Sequence, residues 1–140
     1  MTEGGSPSIV LDTNIVSYLL KDSTKTAACK AHVEHRVAAL SFQTVAELWY
    51  GAERSEWGEP RRAALDHLIR RFVILTADEA TSRLWAELRV EAERAGKSKE
   101  AEDLWIAATA KRHDLPLLTD DSDFFSALSV RAVRPTDPPV

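Results

Sequence analysis

Five acidic residues occupy positions from which their carboxylates could converge on one site. They are Asp12, Glu47, Asp103, Asp121 and Asp123. Like charges that lie close together raise one another's pKa unless a cation joins them, and carboxylate oxygens are preferred ligands of Mg²⁺ and Mn²⁺. A pair of such ions can orient water and neutralise the charge that builds on a phosphate during phosphodiester hydrolysis. The five acids therefore predict metal-dependent phosphodiester cleavage, provided that the fold brings them together.

The elements that must position these acids are alternating strands and helices. Apolar runs typical of buried strands cover residues 9–11, 37–41, 72–75, 115–118 and 129–133. Stretches with helical periodicity separate these runs, and one of them is predicted to form a long helix from about 78 to 95 that ends at Gly96. This alternation predicts an α/β domain with a mainly parallel central sheet of about five strands.

The acids fall at the ends of the predicted elements that meet at one sheet edge. Asp12 directly follows the first strand, and Thr119 and Asp121 directly follow the fourth. Glu47 lies on the helix after the second strand, and Asp103 lies at the front of the helix that leads into the fourth. Ligands of open α/β sheets bind beyond the carboxyl ends of the strands. All of these side chains are therefore predicted to reach one ligand site.

Each acid also has a separate structural explanation. Asp12, Thr13 or Asn14 could cap the first helix, and Asp103 could cap the helix that it opens. The acids of the segment TDDSD could be ordinary turn residues. Glu47 is harder to explain in this way, because it lies in the otherwise apolar stretch TVAELWYGA and an unpaired buried carboxylate is costly. The coincidence of all of them at one edge favours a shared site.

Length and composition are those of one globular domain. The chain has 140 residues, of which 44% are hydrophobic and 29% are charged, and this excludes intrinsically disordered and collagen-like classes. We expect residues 1–7 to be a flexible leader, 8–134 to be the single domain and 135–140 to be a tail. No apolar run approaches a membrane span, and the lone Cys29 rules out an intrachain disulfide. These features indicate a cytoplasmic protein without a membrane partner.

The net charge of −4 does not by itself suggest a nucleic-acid ligand. Without the five acids of the predicted site the formal charge would be +1, so the charge is a weak objection to a polyanionic substrate. The spacing Cys29-x₂-His32-x₂-His35 invites a zinc interpretation, but no fourth ligand lies nearby and a solvated helix face is expected instead.

Four tryptophans divide into two groups. The apolar faces that carry Trp49, Trp85 and Trp105 predict that all three lie in the core. Trp57 stands between polar residues, so it is a candidate for an exposed contact or for local packing.

Three segments together resemble a known protein family. IVLDTNIVSYLL, ALSFQTVAELWYGA and EDLWIAATAKRHDLPLLTDDSDF are similar, in order and spacing, to the signature segments of PIN-domain ribonucleases, specifically the VapC-type toxins of bacterial toxin–antitoxin modules. The resemblance covers about residues 8–134. It implies a PIN-like α/β/α sandwich and a Mg²⁺-dependent endoribonuclease, with Mn²⁺ as a possible substitute. The stretch AGKSKEAED before Asp103 departs from the pattern, because it lacks the Gly- or Pro-containing turn of many relatives.

The resemblance also implies roles for individual residues and partners. Asp12, Glu47, Asp103 and Asp121 would form the acidic metal site, with Asp123 as a fifth member, and either Asp121 or Asp123 could be the closer ligand. Asn14 and Thr119 would position phosphate or support the ligands. A cognate antitoxin would neutralise the toxin, whose RNA cleavage inhibits translation, and the toxin would be a homodimer.

Two other function classes compete with this interpretation. A phosphatase with an aspartyl nucleophile could use Asp12, since an Asp after the first strand can be phosphorylated, but it would normally need a second acid where the chain has Asn14. A non-catalytic PIN-like protein-binding module would have no reason to retain the acids.

Overall fold

The computed structural model describes residues 8–21, 24–34, 36–97 and 99–139. Five strands form one sheet in the described part of the chain: β1 (Ser8–Leu11), β2 (Val37–Ser41), β3 (Val73–Leu75), β4 (Leu117–Leu118) and β5 (Ala132–Val133). Their order across the sheet is β3-β2-β1-β4-β5, and every pairing is parallel. The prediction of a parallel, five-stranded α/β sheet is confirmed.

Seven helices connect these strands within the described residues. They are α1 (Thr13–Leu20), α2 (Thr26–Val33), α3 (Phe42–Arg54), α4 (Glu59–Ile69), α5 (Glu79–Arg94), α6 (Ala101–Arg112) and α7 (Asp123–Ser126). The long predicted helix is α5, which begins directly after its N-cap Asp78, and Asp78 forms a capping box with Thr81 of the first turn. Gly96 follows its end with a φ of 73°, the left-handed conformation that glycine adopts without strain.

Successive side chains of each strand point to opposite faces of the sheet and so form two cores, one on each face. Ile9 and Leu11 of β1 contribute to the core under α1 to α4, whereas Val10 contributes to the core under α5, α6 and α7. The same alternation places Leu118 of β4 in the first core and Leu117 in the second. Helices thus cover both faces, as in the predicted α/β/α sandwich.

Strands β4 and β5 are shorter than the apolar runs 115–118 and 129–133 predict. Leu115 does not join β4, because its N–H donates to the Ala110 carbonyl at 2.9 Å and closes the end of α6. Pro116 has no N–H to donate to a neighbouring strand. Before β5, the hydroxyl of Ser129 donates to the Glu91 carboxylate at 2.9 Å instead of facing the sheet.

The site predicted at the sheet edge lies at a change in the direction of chain winding. From β1 the chain moves outward through β2 and β3, and then returns to the other side of β1 to form β4 and β5. Helices leaving β1 and β4 therefore diverge, which opens a crevice beyond the carboxyl ends of these neighbouring strands.

The predicted environments of several side chains are wrong. Cys29 and His32 are buried, not on a solvated helix face, because α2 packs this side against the first core. His32 Nε2 donates to the Pro135 carbonyl at 3.1 Å. His35, the third residue of the supposed zinc pattern, lies outside the described residues.

The tryptophans are less buried than predicted. Trp49, Trp85 and Trp105 are half-buried, and Trp49 and Trp85 pack at the margins of the two cores. Trp85 and Trp105 stack on each other with ring centroids 5.6 Å apart. Trp57 is half-buried as well, and the Arg61 guanidinium lies 4.0 Å from its ring centroid.

None of the helices in the described residues is long and apolar enough to cross a membrane.

Candidate functional site

Asp12 joins β1 to α1 and lies at the centre of the crevice, only 5% exposed. Its Oδ1 accepts from the Thr13 N–H at 2.8 Å and so caps α1, and its Oδ2 accepts from the Thr119 hydroxyl at 2.7 Å. Asp12 therefore serves as the helix cap itself, in place of Thr13 or Asn14, while its second oxygen faces the end of β4. Burial raises its pKa, the two hydrogen bonds oppose this, and repulsion from Asp103 and Asp121 adds to the rise.

Glu47 enters the crevice from the second turn of α3. Its side chain is half-buried, and Gln43, one turn earlier, donates to its Oε2 at 3.3 Å. Burial raises the pKa of Glu47, and repulsion from Asp103 and Asp12 raises it further. Glu47 and Asp12 thus repel each other through the crevice although they lie 35 positions apart in the chain.

Asp103 and Asp121 share one cationic partner. Lys99 Nζ lies 3.1 Å from Asp103 Oδ2 and 3.0 Å from Asp121 Oδ2. Burial raises the pKa of Asp103 even though Lys99 lowers it in part, since Asp121 and Glu102 add repulsion. Burial also acts on Asp121, but there the hydrogen bond from Lys99 prevails and the pKa is lowered.

The loop after β4 sends its acids in different directions. The Asp121 N–H donates to the Thr119 hydroxyl that binds Asp12, and Asp121 Oδ2 lies 3.0 Å from Lys99 Nζ, so Asp121 is tied to the centre of the site. Asp123 lies at the margin, 3.6 Å from Lys99 Nζ and 3.8 Å from Lys97 Nζ. Asp120 turns away and accepts from the Tyr18 hydroxyl at 2.7 Å.

The two supporting residues predicted from the resemblance differ in placement. Thr119 is fully buried and connects two acids of the site: its hydroxyl donates to Asp12 and accepts from the Asp121 N–H at 3.0 Å. Asn14 is exposed on the first turn of α1, and no hydrogen bond joins its side chain to the acids of the described residues.

The candidate ligands suit a hard divalent cation chemically, because the acidic side chains that meet in the crevice offer only oxygen atoms as ligands. In the arrangement seen, no three acidic, His or Cys side chains of the described chain lie close enough to hold an ion together. Each of these carboxylates already has a hydrogen-bond or ion-pair partner, so the carboxylates would have to reorient to share one ion.

Lys99 is the residue of this site that sequence reasoning missed. Its spacing of four from Asp103 was the available signal, since side chains four apart on a helix or at its start meet on one face. The signal was weak because the same segment holds three other charged residues, and an exposed pair of this kind is common on protein surfaces.

Replacing the Thr119 hydroxyl should alter the ionisation of Asp12. Because the hydrogen bond from Thr119 lowers the pKa of Asp12, Thr119→Val should raise that pKa, and the acid limb of any pH–activity profile should move to higher pH. Activity at neutral pH should fall by roughly tenfold, from loss of one charge-assisted hydrogen bond.

Thr119→Ser is the matched control, since it retains the hydroxyl. The pH dependence of activity should be measured for both variants. A Thr119→Val profile that coincides with that of Thr119→Ser would contradict a positioning role for this hydroxyl.

Comparison with known proteins agrees with this architecture. The family model "PIN domain" matches residues 9–129. The chain is 31% identical over 112 residues to Ribonuclease VapC2 of Haemophilus influenzae, which covers 80% of this chain and 85% of that protein. It is 28% identical over 116 residues to the tRNA(fMet)-specific endonuclease VapC of Shigella flexneri, with 83% and 88% covered.

Solved structures give the same result. VapBC2 of Rickettsia felis, bound to a DNA fragment from its promoter, contains a chain that matches with a TM-score of 0.80 and 25% identity, covering 91% of this chain and 98% of that one. VapBC-5 of Mycobacterium tuberculosis, a member of the VapBC family of toxin–antitoxin systems, matches with a TM-score of 0.66 and 27% identity, covering 91% and 96%. The chain therefore belongs to the PIN domain family, and within it to the VapC-type ribonuclease toxins.

Proposed function

We propose that the crevice beyond β1 and β4 is the active site of a divalent-metal-dependent endoribonuclease, with Mg²⁺ as the ion and Mn²⁺ as a substitute. The observation that carries this proposal is the convergence of four carboxylates from different elements: Asp12, Glu47, Asp103 and Asp121. Three of them have raised pKa values to which repulsion from one another contributes. Such a cluster favours a bound cation over mutual repulsion.

In this site the four carboxylates would supply the negative charge that attracts the ion, and Asp123 would lie at the margin of the site. A divalent ion stabilises negative charge on the phosphate and makes water a better nucleophile. Thr119 fixes the orientation of Asp12 through the 2.7 Å hydrogen bond to Oδ2, and the remaining lone pairs of the two carboxylate oxygens would be available to the ion. Glu47 forms no ion pair with Lys99 in the described residues, so its carboxylate would be available to the ion.

The biological role that we infer is that of a toxin. RNA cleavage would inhibit translation, and a cognate antitoxin would neutralise the enzyme, as the toxin–antitoxin assembly of the M. tuberculosis neighbour suggests. We further propose a homodimer that acts in the cytoplasm, where a buried, free cysteine such as Cys29 stays reduced. Asn14, exposed at the front of α1, is a candidate contact for the RNA backbone.

The proposal is tested with purified protein, freed of antitoxin, and total cellular RNA in the presence of Mg²⁺. We expect discrete RNA fragments, and we expect EDTA to abolish them because the carboxylates would lose their cation. Asp120→Asn serves as a control, since Asp120 belongs to the same loop but faces Tyr18. Fragments that persist in EDTA at an equal rate would overturn the assignment.

The phosphatase alternative makes a different prediction. It requires phosphate release from small phosphomonoesters and a covalent phosphate on Asp12, with no RNA fragments. Because the residue two positions after Asp12 is the exposed Asn14, the site offers no second acid to protonate the leaving group there. A protein that neither cleaves RNA nor releases phosphate would support the non-catalytic, protein-binding alternative.

A further inference from the structure

Lys99 is a buried cation inside the acidic crevice. Its side chain is only 5% exposed, and its ammonium lies within 3.6 Å of three carboxylates: Asp103, Asp121 and Asp123. The ammonium also lies 5.0 Å from the ring centroid of the buried Phe124, which packs beneath it. A lysine held on several sides in this way is fixed by the fold, unlike a surface lysine that samples many rotamers.

The position of this ammonium is that of an ion that bridges two carboxylates. Lys99 Nζ is almost equidistant from Asp103 Oδ2 and Asp121 Oδ2, at 3.1 and 3.0 Å. A divalent ion that joined the same two oxygens would have to lie between them at roughly 2 Å from each. The ammonium and such an ion cannot occupy this place together, because they would overlap and repel each other.

The other side of the crevice is free of Lys99. Asp12 binds Thr13 and Thr119, and Glu47 binds Gln43, but neither acid contacts Lys99 in the described part of the chain. Asp103 lies between the two sides and repels both Asp12 and Glu47. One side of the crevice thus has a cationic side chain, whereas on the other side Asp12 and Glu47 form no ion pair within the described residues.

We propose that Lys99 permanently replaces one of two divalent ions, so that the site binds a single ion beside Asp12, Glu47 and Asp103 while the Lys99 ammonium supplies the second positive centre between Asp103 and Asp121. This inference rests on the proposed metal-dependent function. It assigns Lys99 as a cation of the site and limits the number of metal ions that the site can take.

The chain offers a matched control two residues earlier. Lys97 belongs to the same loop and lies 3.8 Å from Asp123, but its side chain is 49% exposed and contacts neither Asp103 nor Asp121. If proximity of any lysine to the acids affected metal binding through general charge, Lys97→Met and Lys99→Met would act alike. If the position of the ammonium matters, only Lys99→Met changes the number of ions.

The experiment measures Mn²⁺ binding to the full-length protein, freed of antitoxin and metal, by titration calorimetry together with electron paramagnetic resonance. We expect one Mn²⁺ per chain for wild type and for Lys97→Met. For Lys99→Met we expect two, with the spin coupling of a close Mn²⁺ pair. Lys99→Gln removes the charge but keeps a polar side chain, and it should also bind two ions.

The outcomes separate this inference from the proposed function. Two ions in wild type, or one ion in both folded Lys99 variants, would overturn the role of Lys99 while leaving the metal-dependent nuclease intact. Binding that is unchanged in Asp12→Asn would overturn the metal site itself. If the Lys99 variants do not fold, the number of Mn²⁺ ions bound by wild type tests the inference, since only one ion per chain agrees with it.

Discussion

Asp12→Asn should lower the rate of RNA cleavage by at least about 10³-fold, which corresponds to about 4 kcal/mol of transition-state stabilisation. The variant keeps the size of the side chain, and its amide oxygen can still accept from the Thr13 N–H that caps α1. It loses the negative charge at the centre of the crevice, where Asp12 is 5% exposed and faces Asp103 and Asp121. The fragments produced from total RNA over time give the rate.

The stability of the same variant distinguishes chemistry from folding. The pKa of Asp12 is raised in the folded protein, so its ionised form is disfavoured by folding and wild type loses stability as pH rises above the ordinary carboxyl range of about pH 4. Without divalent ions, Asp12→Asn should therefore melt at a higher temperature than wild type at pH 7. This difference should shrink as the pH falls. A variant that folds and cleaves RNA at the wild-type rate would contradict the role of Asp12.

Phe124→Ala should destabilise the protein by about 3–5 kcal/mol, a large part of the ~5–15 kcal/mol typical of a whole domain. Among the residues that the structure describes, Phe124 is the largest fully buried side chain, and it anchors the short α7 to the core that α5 and α6 form with the sheet. Its removal leaves a cavity beneath Lys99 and frees the loop that holds Asp121 and Asp123. Urea denaturation followed by circular dichroism measures the loss from the shift in midpoint.

Phe124→Leu is the matched control, because it fills most of the same volume and should cost less than half as much as Phe124→Ala. Metal binding by the folded fraction of Phe124→Ala should also weaken, since the acids of the loop lose their support. A loss of stability below about 1 kcal/mol for Phe124→Ala would contradict the role of Phe124 as the anchor of this loop.

The sequence was sufficient for the features that depend on simple periodicity and on strand ends. The apolar run before Asp12 and the run before Thr119 predict two buried strands, and parallel pairing of these strands must bring their carboxyl ends together. Glu47 could be assigned to the same edge because an acid in an apolar helical stretch is costly to bury unless it has a polar or cationic partner. These arguments are local, and they do not require knowledge of distant contacts.

The remaining features depend on contacts between distant elements. The shortening of β4 follows from the way that Leu115 closes α6, and the burial of His32 follows from the return of the chain at Pro135. The position of Lys99 requires the loop before α6 to meet the loop after β4, 22 positions later in the chain. Side-chain spacing alone could not distinguish this buried ammonium from an exposed surface charge.

The central claim is that the converging carboxylates bind a divalent metal ion, and anomalous diffraction from a crystal soaked in Mn²⁺ tests it most directly. We predict one strong anomalous peak per chain, roughly 2 Å from carboxylate oxygens of Asp12 and Asp103. Lys99 should keep its contact with Asp121 in the same crystal. Mn²⁺ peaks found only at other sites on the protein, with none among these carboxylates, would contradict the account.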